Sequence, residues 1–419
     1  MAIPPSIAGA LINDEALWDD FNSICDCGGR VAGTPSERQA LDLTARLGAA
    51  ASGQKADVSV TPYSGWHCRS ASVELLQGDR RTSLTCQPLL LSKAGSVEAE
   101  VLPVGRGTEA EFAAAGERLR GRIALVRHEY MFAAGHIHRR NKLAWALGHG
   151  AVGFLIAGPL ACSPVAGGAG PDLLAFGISP EAAARLSPEN APLARARLTV
   201  DADHAAAETE AQHFHVPGSR PGCVVLSAHV DGHGLAESAM DNATGVAVAL
   251  AVTRCLAPHV ANASRGLKLG FYSAEEWALT GSRVWLAQLS EAERAAIVLN
   301  VNLDSVGGGR RLTALISEFP NLEPFVRKTA FSVGVHLPLM MNSDHANFAA
   351  HGIPALRLVA GFDDPSSDIR HVLTAADTRD KVTRPELQMA ALAAAELVWA
   401  ALHAPADEVA AWRSLKQPR

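Results

Sequence analysis

The second half of the chain repeats one pattern, in which an apolar run of strand length is followed by polar residues and then by a helical pattern. The repeat begins after about Ala205, and its strand-like runs are CVVLSAHV, GLKLGFYS, AAIVLNVNL and PALRLVA. Continuous apolar strands that alternate with helices are typical of a sheet covered on both faces. We therefore predict an α/β fold with a mixed, mostly parallel central sheet flanked by helices. In such sheets, ligands bind at the carboxyl ends of the strands.

The region before this repeat has a different sequence pattern. From about Tyr63 to Val200, short strand-like runs are separated by turns rich in glycine and proline. A chain of 419 residues also exceeds what one hydrophobic core usually holds. We therefore predict two domains, with a β-rich insert at 63–202 and a second domain formed by 1–62 and 203–419.

Charge and composition exclude several classes of partner. The formal net charge is -6 and the chain has no cluster of lysine or arginine, so the sequence predicts no nucleic-acid partner. The most apolar helical stretch that we singled out, 390–402, is too short to span a bilayer, and the first residues lack a basic segment followed by an apolar run. We expect no membrane partner, a cytoplasmic location and a small peptide or amide substrate. The composition indicates no oligomeric state.

Side chains that can bind metal follow the predicted strands in order. They are His229, Asp231, Asp241, Glu275, Glu276, Asp304 and, further on, His371. Each has an ordinary explanation by itself: Asp241 could cap a helix, and Glu275-Glu276 could be a solvated helix start. Together they form a constellation, because adjacent carboxylates at the end of an apolar strand are costly to bury unless a cation compensates.

The residue types favour zinc. Two histidines and several carboxylates, with no thiolate, fit a pair of Zn²⁺ ions with open coordination positions. Strand alternation places His229 and Asp231 on one face, so one can bind metal while the other orients it. We give Asp231 the orienting role, because a metal-bound imidazole usually needs an acceptor on its second nitrogen.

These residues lie within motifs that resemble the M28 family of metallopeptidases, which contains dizinc aminopeptidases. The similar motifs are HVD, MDNATG, EEWALTGS, NLDSVG, NSDHANFAAHGIPAL and HVLTAADTRDKV, which cover most of 229–382, and the opening segment GGRVAGTPSERQA. In the insert, the order from VLPVGRGTEAEF to LLAFGISPEAAARL resembles a protease-associated domain. The resemblance implies a zinc-exopeptidase-like fold that carries an inserted protease-associated domain.

The resemblance also implies a role for each site residue. His229 and Asp304 would hold one zinc ion, Glu276 and His371 the other, and Asp241 would bridge both. Glu275 would be the general base that activates water. Asp344 would support the site from nearby, and the peptide bond after Asp241 would be cis.

Three departures from the family pattern are visible. The family commonly has glycine where Ser238 and Ala278 stand. Its last ligand histidine is usually followed directly by threonine, whereas Val372 and Leu373 separate His371 from Thr374. This spacing leaves His345 and His351 as substitutes for the last ligand, although the family's SDH histidine normally lies outside the metal shell.

Several functions fit this chemistry. We predict an aminopeptidase that removes N-terminal residues from small peptides, with two Zn²⁺ ions per chain. A carboxypeptidase or a small-molecule amidohydrolase on the same site is an alternative, and Arg310-Arg311 is a basic pair that could bind a carboxylate. M20 amidohydrolases are disfavoured because their lid insertion follows the Glu-Glu pair, and a glutaminyl-cyclase-like acyltransferase because it needs one zinc. A non-catalytic binding protein is the remaining alternative.

Overall fold

A computed structural model describes residues 2–188, 192–316 and 318–413. The chain divides into two compact units. The first comprises Met1–Tyr63, Glu208–Val372 and Asp377–Arg419, and the second comprises Ser64–Ala207 and Leu373–Ala376. The sequence-based boundaries place the start of the insert at 63 and its end at 202. The identification of the second unit as a protease-associated domain stays a prediction.

Fourteen strands are present in the described residues. They are β1 (Asp57–Gln77), β2 (Arg80–Leu84), β3 (Cys86–Pro88), β4 (Gly95–Pro103), β5 (Ile123–Arg127), β6 (Gly153–Ala157), β7 (Leu174–Ile178), β8 (Arg195–Val216), β9 (Cys223–His229), β10 (Gly266–Tyr272), β11 (Ile297–Leu303), β12 (Leu312–Ile316), β13 (Gly334–His336) and β14 (Ala355–Ala360). The two long strands β1 and β8 each contain residues of both units.

Thirteen α-helices accompany them in the same described ranges. They are α1 (Pro5–Ile12), α2 (Ala16–Cys25), α3 (Pro35–Ser52), α4 (Glu109–Ala115), α5 (Arg139–Gly148), α6 (Pro180–Leu186), α7 (Thr244–Val260), α8 (Thr280–Gln288), α9 (Glu291–Ala296), α10 (Leu322–Thr329), α11 (His345–Ala350), α12 (Arg384–His403) and α13 (Ala406–Trp412). Short 3₁₀ turns cover Gly116–Leu119, Asp368–His371 and Arg379–Lys381, and a π-turn covers Ala239–Ala243.

The sheet of the first unit is mostly parallel. Its central strands lie in the order β14-β11-β9-β10, and every neighbouring pair among them is parallel. At one edge, residues 211–216 of β8 pair antiparallel with β10. At the other edge, β12 pairs antiparallel with β14 and parallel with β13. The predicted mixed, mostly parallel sheet is therefore confirmed.

Helices cover both faces of this sheet, which explains why its strands are continuously apolar. All seven residues of β9 are buried, and so are all seven of β11. Helix α7 packs on one face together with α2, α3 and α12. On the other face, Trp285 of α8 and Phe348 of α11 form a hydrophobic cluster with Val225 of β9. A sheet buried on both sides presents only its strand ends to a ligand.

Helix α7 is the most apolar element of the first unit. Together with the turn before it, it forms a 22-residue segment, Ala239–Val260, that is long and apolar enough to cross a membrane by composition alone. However, 72% of its most apolar window is buried inside the protein. Packing against the sheet and four other helices, α1, α2, α3 and α12, accounts for the apolar sequence, as expected of a core helix.

The second unit has its own sheet and core. Strands β4, β5, β6 and β7 are parallel in that order, and β3 pairs antiparallel with β7. Residues 195–200 of β8 pair antiparallel with β4, and β1 forms a hairpin with β2. Phe176, Leu155 and Leu198 lie in its hydrophobic cluster. Helices α4, α5 and α6 complete this β-rich unit.

Candidate metal centre

Four of the predicted site residues meet beyond the carboxyl ends of β9, β10 and β11. His229 is the last residue of β9, and its Nε2 lies 3.0 Å from Asp241 Oδ1 and 3.6 Å from Asp304 Oδ1. Glu275 contributes a carboxylate oxygen, and the ligand atoms of His229, Glu275 and Asp304 all lie within 4.8 Å of one another. The strand ends therefore bring the predicted constellation together.

The ring of His229 is oriented for an external ligand on Nε2. Its Nδ1 lies 3.0 Å from the backbone carbonyl of Asp231, which can only accept, so Nδ1 carries the proton. The lone pair of Nε2 then points away from the strand. In the described part of the chain, this buried Nε2 makes no hydrogen bond of acceptable geometry despite the nearby Asp241 oxygen. An orphaned, buried imidazole nitrogen among carboxylates is what a metal ligand looks like before the metal is added.

Asp241 is held in a turn and does not cap helix α7. Its φ and ψ of -116° and 86° are non-helical, and the peptide bond to Asn242 is cis, as the resemblance implied. The Asn242 side chain accepts from the backbone N–H groups of Gly245 at 3.0 Å and Ser305 at 3.1 Å, and it donates to Leu303 O at 2.9 Å. These bonds tie the turn to the end of β11, so Asp241 and Asp304 have fixed relative positions.

The carboxylate of Asp231 organises the Glu-Glu pair. Its two oxygens accept from the backbone N–H groups of Glu275 at 3.0 Å and Glu276 at 3.1 Å. Its Oδ1 is 3.6 Å from His229 Nδ1, so the backbone carbonyl of Asp231 is the closer acceptor for that ring. One residue therefore orients the histidine through its main chain and the two glutamates through its side chain.

Asp304 has a buried partner that the sequence analysis did not single out. Arg357, in the middle of β14, places Nη2 3.1 Å from Asp304 Oδ1 and donates from Nε to the Asp304 carbonyl at 3.3 Å. Although burial acts to raise the pKa of the Asp304 carboxyl, Arg357 and His229 bring it below its ordinary value. The available signal was one charged residue inside the otherwise apolar strand ALRLVA.

The other carboxyl groups at the site have raised pKa values. Burial raises the pKa of Glu275 well above its ordinary value, and the adjacent Glu276 adds to the rise. Burial together with Asp241 raises the pKa of Glu276 to about 7, and burial raises the pKa of Asp344 to about 7. Ionised carboxylates at this density need a positive partner. The residues present therefore fit divalent cations that take carboxylate and imidazole ligands.

The other predicted residues occupy different places. Asp344 is buried and accepts from Ser282 Oγ at 2.5 Å, beneath the Glu-Glu pair. His345 is fully buried and His351 is exposed on the surface. His371 lies in a 3₁₀ turn with Nε2 3.9 Å from Asp368 Oδ1.

Two further residues near the site were missed at the sequence level. Arg30 is fully buried and donates to four backbone carbonyls, three of which belong to the 230–238 loop: Gly28 O, Val230 O, Glu237 O and Ser238 O. His233 lies in that loop with 1% of its surface exposed. The available signal for His233 was its position two residues after Asp231, in His-Val-Asp-Gly-His. Arg30 lies in the segment GGRVAGTPSERQA, which was compared with the opening segment of the family without a role for the arginine.

Comparisons with known proteins agree with this geometry. Residues 213–398 match the sequence profile of Peptidase family M28. Leupeptin-inactivating enzyme 1 of Streptomyces exfoliatus is 30% identical over 157 residues, which are 35% of this chain and 35% of that protein. The match therefore spans about a third of this relative's length.

Solved structures share the fold over nearly the whole chain. The aminopeptidase from Aneurinibacillus sp. strain AM-1 has a TM-score of 0.69 at 23% identity and covers 94% of this chain and 96% of its own. A zinc aminopeptidase from Bacillus subtilis has a TM-score of 0.70 at 20% identity, over 93% and 95% of the two chains. A peptidase M28 precursor from Shewanella amazonensis SB2B has a TM-score of 0.79 at 18% identity, over 99% and 98%.

The profile match covers the strands and helices that hold His229, Asp241, Glu275 and Asp304. This match supports the predicted enzyme class, a hydrolase of the metallopeptidase type. Residues 213–398 of this chain are similar in sequence to peptidase family M28.

Proposed function

We propose that this protein is a zinc-dependent peptidase that removes N-terminal residues from small peptides, with two Zn²⁺ ions per chain. The observation that carries the proposal is the buried set of His229, Asp241 and Asp304 with the Glu275 carboxylate beside it. The relatives named above include aminopeptidases, one of them a zinc enzyme, and a leupeptin-inactivating enzyme. Zinc is the cation that fits imidazole and carboxylate ligands with an open position.

His229 and Asp304 would hold the first cation, and Asp241 and Glu276 would hold the second. When bound, zinc supplies Lewis acidity, which lowers the pKa of a water and polarises the scissile carbonyl. Arg357 keeps Asp304 ionised, so this ligand carries its negative charge across the working pH range. The carbonyl of Asp231 keeps the proton of His229 on Nδ1 and leaves Nε2 available.

Glu275 is assigned as the general base. Its backbone is anchored to Asp231, and its carboxylate lies among the ligand atoms of His229 and Asp304. A buried carboxylate with a raised pKa is basic enough to accept a proton from water, and it can then pass that proton to the leaving amine. The adjacent Glu276 has its N–H on the other Asp231 oxygen, so the two glutamates occupy different positions and can have different roles.

The similar proteins favour an amine-bearing substrate. Two of the similar solved structures are aminopeptidases. Arg310 and Arg311, the pair that could bind a substrate carboxylate, are both exposed. These observations support aminopeptidase over carboxypeptidase activity.

Glu275→Gln tests the proposal against a surface control, Glu291→Gln in the exposed first turn of α9. Zinc content is measured with the hydrolysis of free-amine aminoacyl anilides, their N-blocked analogues and C-terminal peptide substrates. We expect Glu275→Gln to keep its zinc while kcat on the free-amine substrates falls by about 10²–10⁴-fold, the usual contribution of a general base. The control should keep wild-type kcat.

The other outcomes separate the alternatives. Turnover of only blocked or C-terminal substrates would retain the metal site and change the substrate class to an amidohydrolase or carboxypeptidase. Zinc binding with no turnover of any substrate would favour a non-catalytic binding protein. Equal kcat in Glu275→Gln and wild type would remove Glu275 from the mechanism.

A further inference from the structure

The proposed second cation lacks an imidazole ligand at the expected place. In the family motif, histidine stands directly before the threonine, and here that position is Leu373, a hydrocarbon that cannot bind metal. His371, two residues earlier, has 14% of its side chain exposed, and its Nε2 lies 3.9 Å from Asp368 Oδ1. Another imidazole must therefore complete the site if two ions bind.

His233 is placed to do so. Its side chain is 1% exposed, and its Nε2 makes no hydrogen bond in the ranges that the structure describes. Asp377 Oδ2 faces it at 3.5 Å, is fully buried, and likewise makes no hydrogen bond there. Two buried polar atoms that face each other without bonding leave a desolvation cost that a cation between them would offset.

The spacing of these atoms suits a shared ion. Two ligands at about 2.0–2.2 Å from a tetrahedral Zn²⁺ lie about 3.3–3.6 Å apart. The separation of 3.5 Å between His233 Nε2 and Asp377 Oδ2 falls in this range. It matches the 3.6 Å between His229 Nε2 and Asp304 Oδ1 at the first site.

The proposed ligands of the second cation act on one another electrostatically. Burial and Asp241 raise the pKa of Glu276, while His229 and His233 act to lower it, so the His233 ring is close enough to act on that carboxyl. Burial and Asp304 raise the pKa of Asp241, and Asp377 adds to the rise. His233 is thus within electrostatic range of Glu276, and Asp377 is within electrostatic range of Asp241.

The loop around His233 is rigid, and one departure from the family pattern contributes to it. Ser238, where the family commonly has glycine, has a positive φ of 49° and accepts from the His233 N–H through Oγ at 3.0 Å. Arg30 holds three carbonyls of the same loop. A Cβ on Gly29 would lie 2.2 Å from the His233 carbonyl oxygen, so that close approach requires glycine.

The opposite side is held equally well. Asp377 Oδ1 accepts from the Met240 N–H at 2.7 Å, which leaves Oδ2 directed at His233. Arg379 forms an ion pair with Glu237 at 3.1 Å, and its own N–H donates to Glu237 Oε2 at 2.8 Å. The turn that contains Asp377 is therefore fastened to the loop that contains His233.

We propose that His233, in place of His371, is the imidazole ligand of a second divalent cation that Asp241 and Glu276 also bind, with Asp377 facing the same ion. The inference rests on the proposed function for the presence of two ions, and it concerns only which residues bind the second. Binding at Nε2 places the ring proton on Nδ1. The contact from the Leu235 N–H to Nδ1, long at 3.3 Å, is lost when the ion binds.

The test compares His233→Ala with His371→Ala in the full-length protein. Each is stripped with a chelator, reloaded with Zn²⁺, and analysed for bound metal by mass spectrometry and titration calorimetry. We expect two ions in wild type and in His371→Ala. In His233→Ala we expect one ion with wild-type affinity and a second weakened by at least about 100-fold, the upper end of what losing an outer-shell partner costs. Retention of the first ion shows that this variant is folded.

A second measurement does not depend on affinity. His233→Cys and His371→Cys are loaded with Co²⁺, and thiolate-to-cobalt charge-transfer absorption is recorded. A band in His233→Cys that is absent from His371→Cys supports the proposal, and the opposite pattern overturns it. Two tightly bound ions in His233→Ala, or only one in wild type, also overturn it. A protein that binds two ions, the second of them dependent on His233, but has no peptidase activity would refute the proposed function and leave this inference standing.

Discussion

Arg30 offers the sharpest test of how the candidate metal centre is supported. Its Nε donates to Val230 O at 2.8 Å, Nη1 to Gly28 O at 2.7 Å and Glu237 O at 2.6 Å, and Nη2 to Ser238 O at 2.7 Å. The guanidinium is fully buried. In Arg30→Lys the positive charge remains, but all donors sit on one nitrogen, which cannot reach carbonyls that three separate nitrogens now serve.

The expected loss follows from these contacts. If lysine keeps one or two of the four hydrogen bonds, two or three buried carbonyls lose a charged donor, at about 1.5 kcal/mol each. The free energy of unfolding should therefore fall by about 3–4.5 kcal/mol. The matched control is Arg38→Lys, because Arg38 is 54% exposed and its partners Asp42 and Glu210 lie at the surface. That change should cost less than about 0.5 kcal/mol.

Urea unfolding of the metal-free proteins, followed by tryptophan fluorescence, measures both changes under the same conditions. Metal is removed so that weaker zinc binding does not add to the difference. We expect a lower midpoint at unchanged slope for Arg30→Lys alone. If the two variants unfold at the same urea concentration, the four hydrogen bonds of Arg30 do not stabilise the 230–238 loop as argued here.

Two further predictions concern the first unit. Burial and Lys268 lower the pKa of His213 to about 3, whereas the unfolded side chain titrates near about 6.5. Between these two pKa values the unfolded state binds a proton that the folded state does not, so the free energy of unfolding should fall by about 1.4 kcal/mol per pH unit as the pH drops below about 6.5. Urea midpoints of His213→Phe, measured against pH, should lack this part of the pH dependence. An unchanged pH dependence in the variant would contradict the assignment. Gly29→Ala should lower the melting temperature, because the added Cβ would meet the His233 carbonyl oxygen at 2.2 Å. Gly9→Ala in helix α1 is the control: its Cβ would meet nothing within 4 Å, so the change should raise the free energy of unfolding by about 0.5–1 kcal/mol. Equal effects of the two changes would show that the close approach at Gly29 is not tight.

The fold was predictable because its signals are local and repeated. Apolar runs such as CVVLSAHV and AAIVLNVNL are long enough to be strands, and their lack of alternation indicates burial on both faces. The order of strands, β14-β11-β9-β10, was not predictable in this way. It depends on which apolar faces pack together, and a single sequence does not state those contacts.

The site was predictable in part. His229, Asp241, Glu275 and Asp304 follow buried strands or precede a buried helix, so the parallel sheet brings them to one edge. Arg357 was overlooked because its pairing with Asp304 joins β14 to β11, and this adjacency is a property of the sheet. The sequence indicated Asp231 as the residue that orients His229. In the structure its backbone carbonyl contacts His229, and its carboxylate accepts from the backbone N–H groups of Glu275 and Glu276.

The sequence alone determined the chemistry of this protein: the residue types, their order, and the family motifs that indicate a metallopeptidase. Tertiary structure decided which of the histidines face the carboxylates. His371 is separated from Thr374 by Val372 and Leu373 and lies beside Asp368, whereas His233 is buried opposite Asp377, 144 residues away along the chain. The reason is physical: the distance and direction between two side chains depend on tertiary contacts. Here Arg30 and Arg379 contact segments remote in sequence, and Ser238 contacts His233 within the loop.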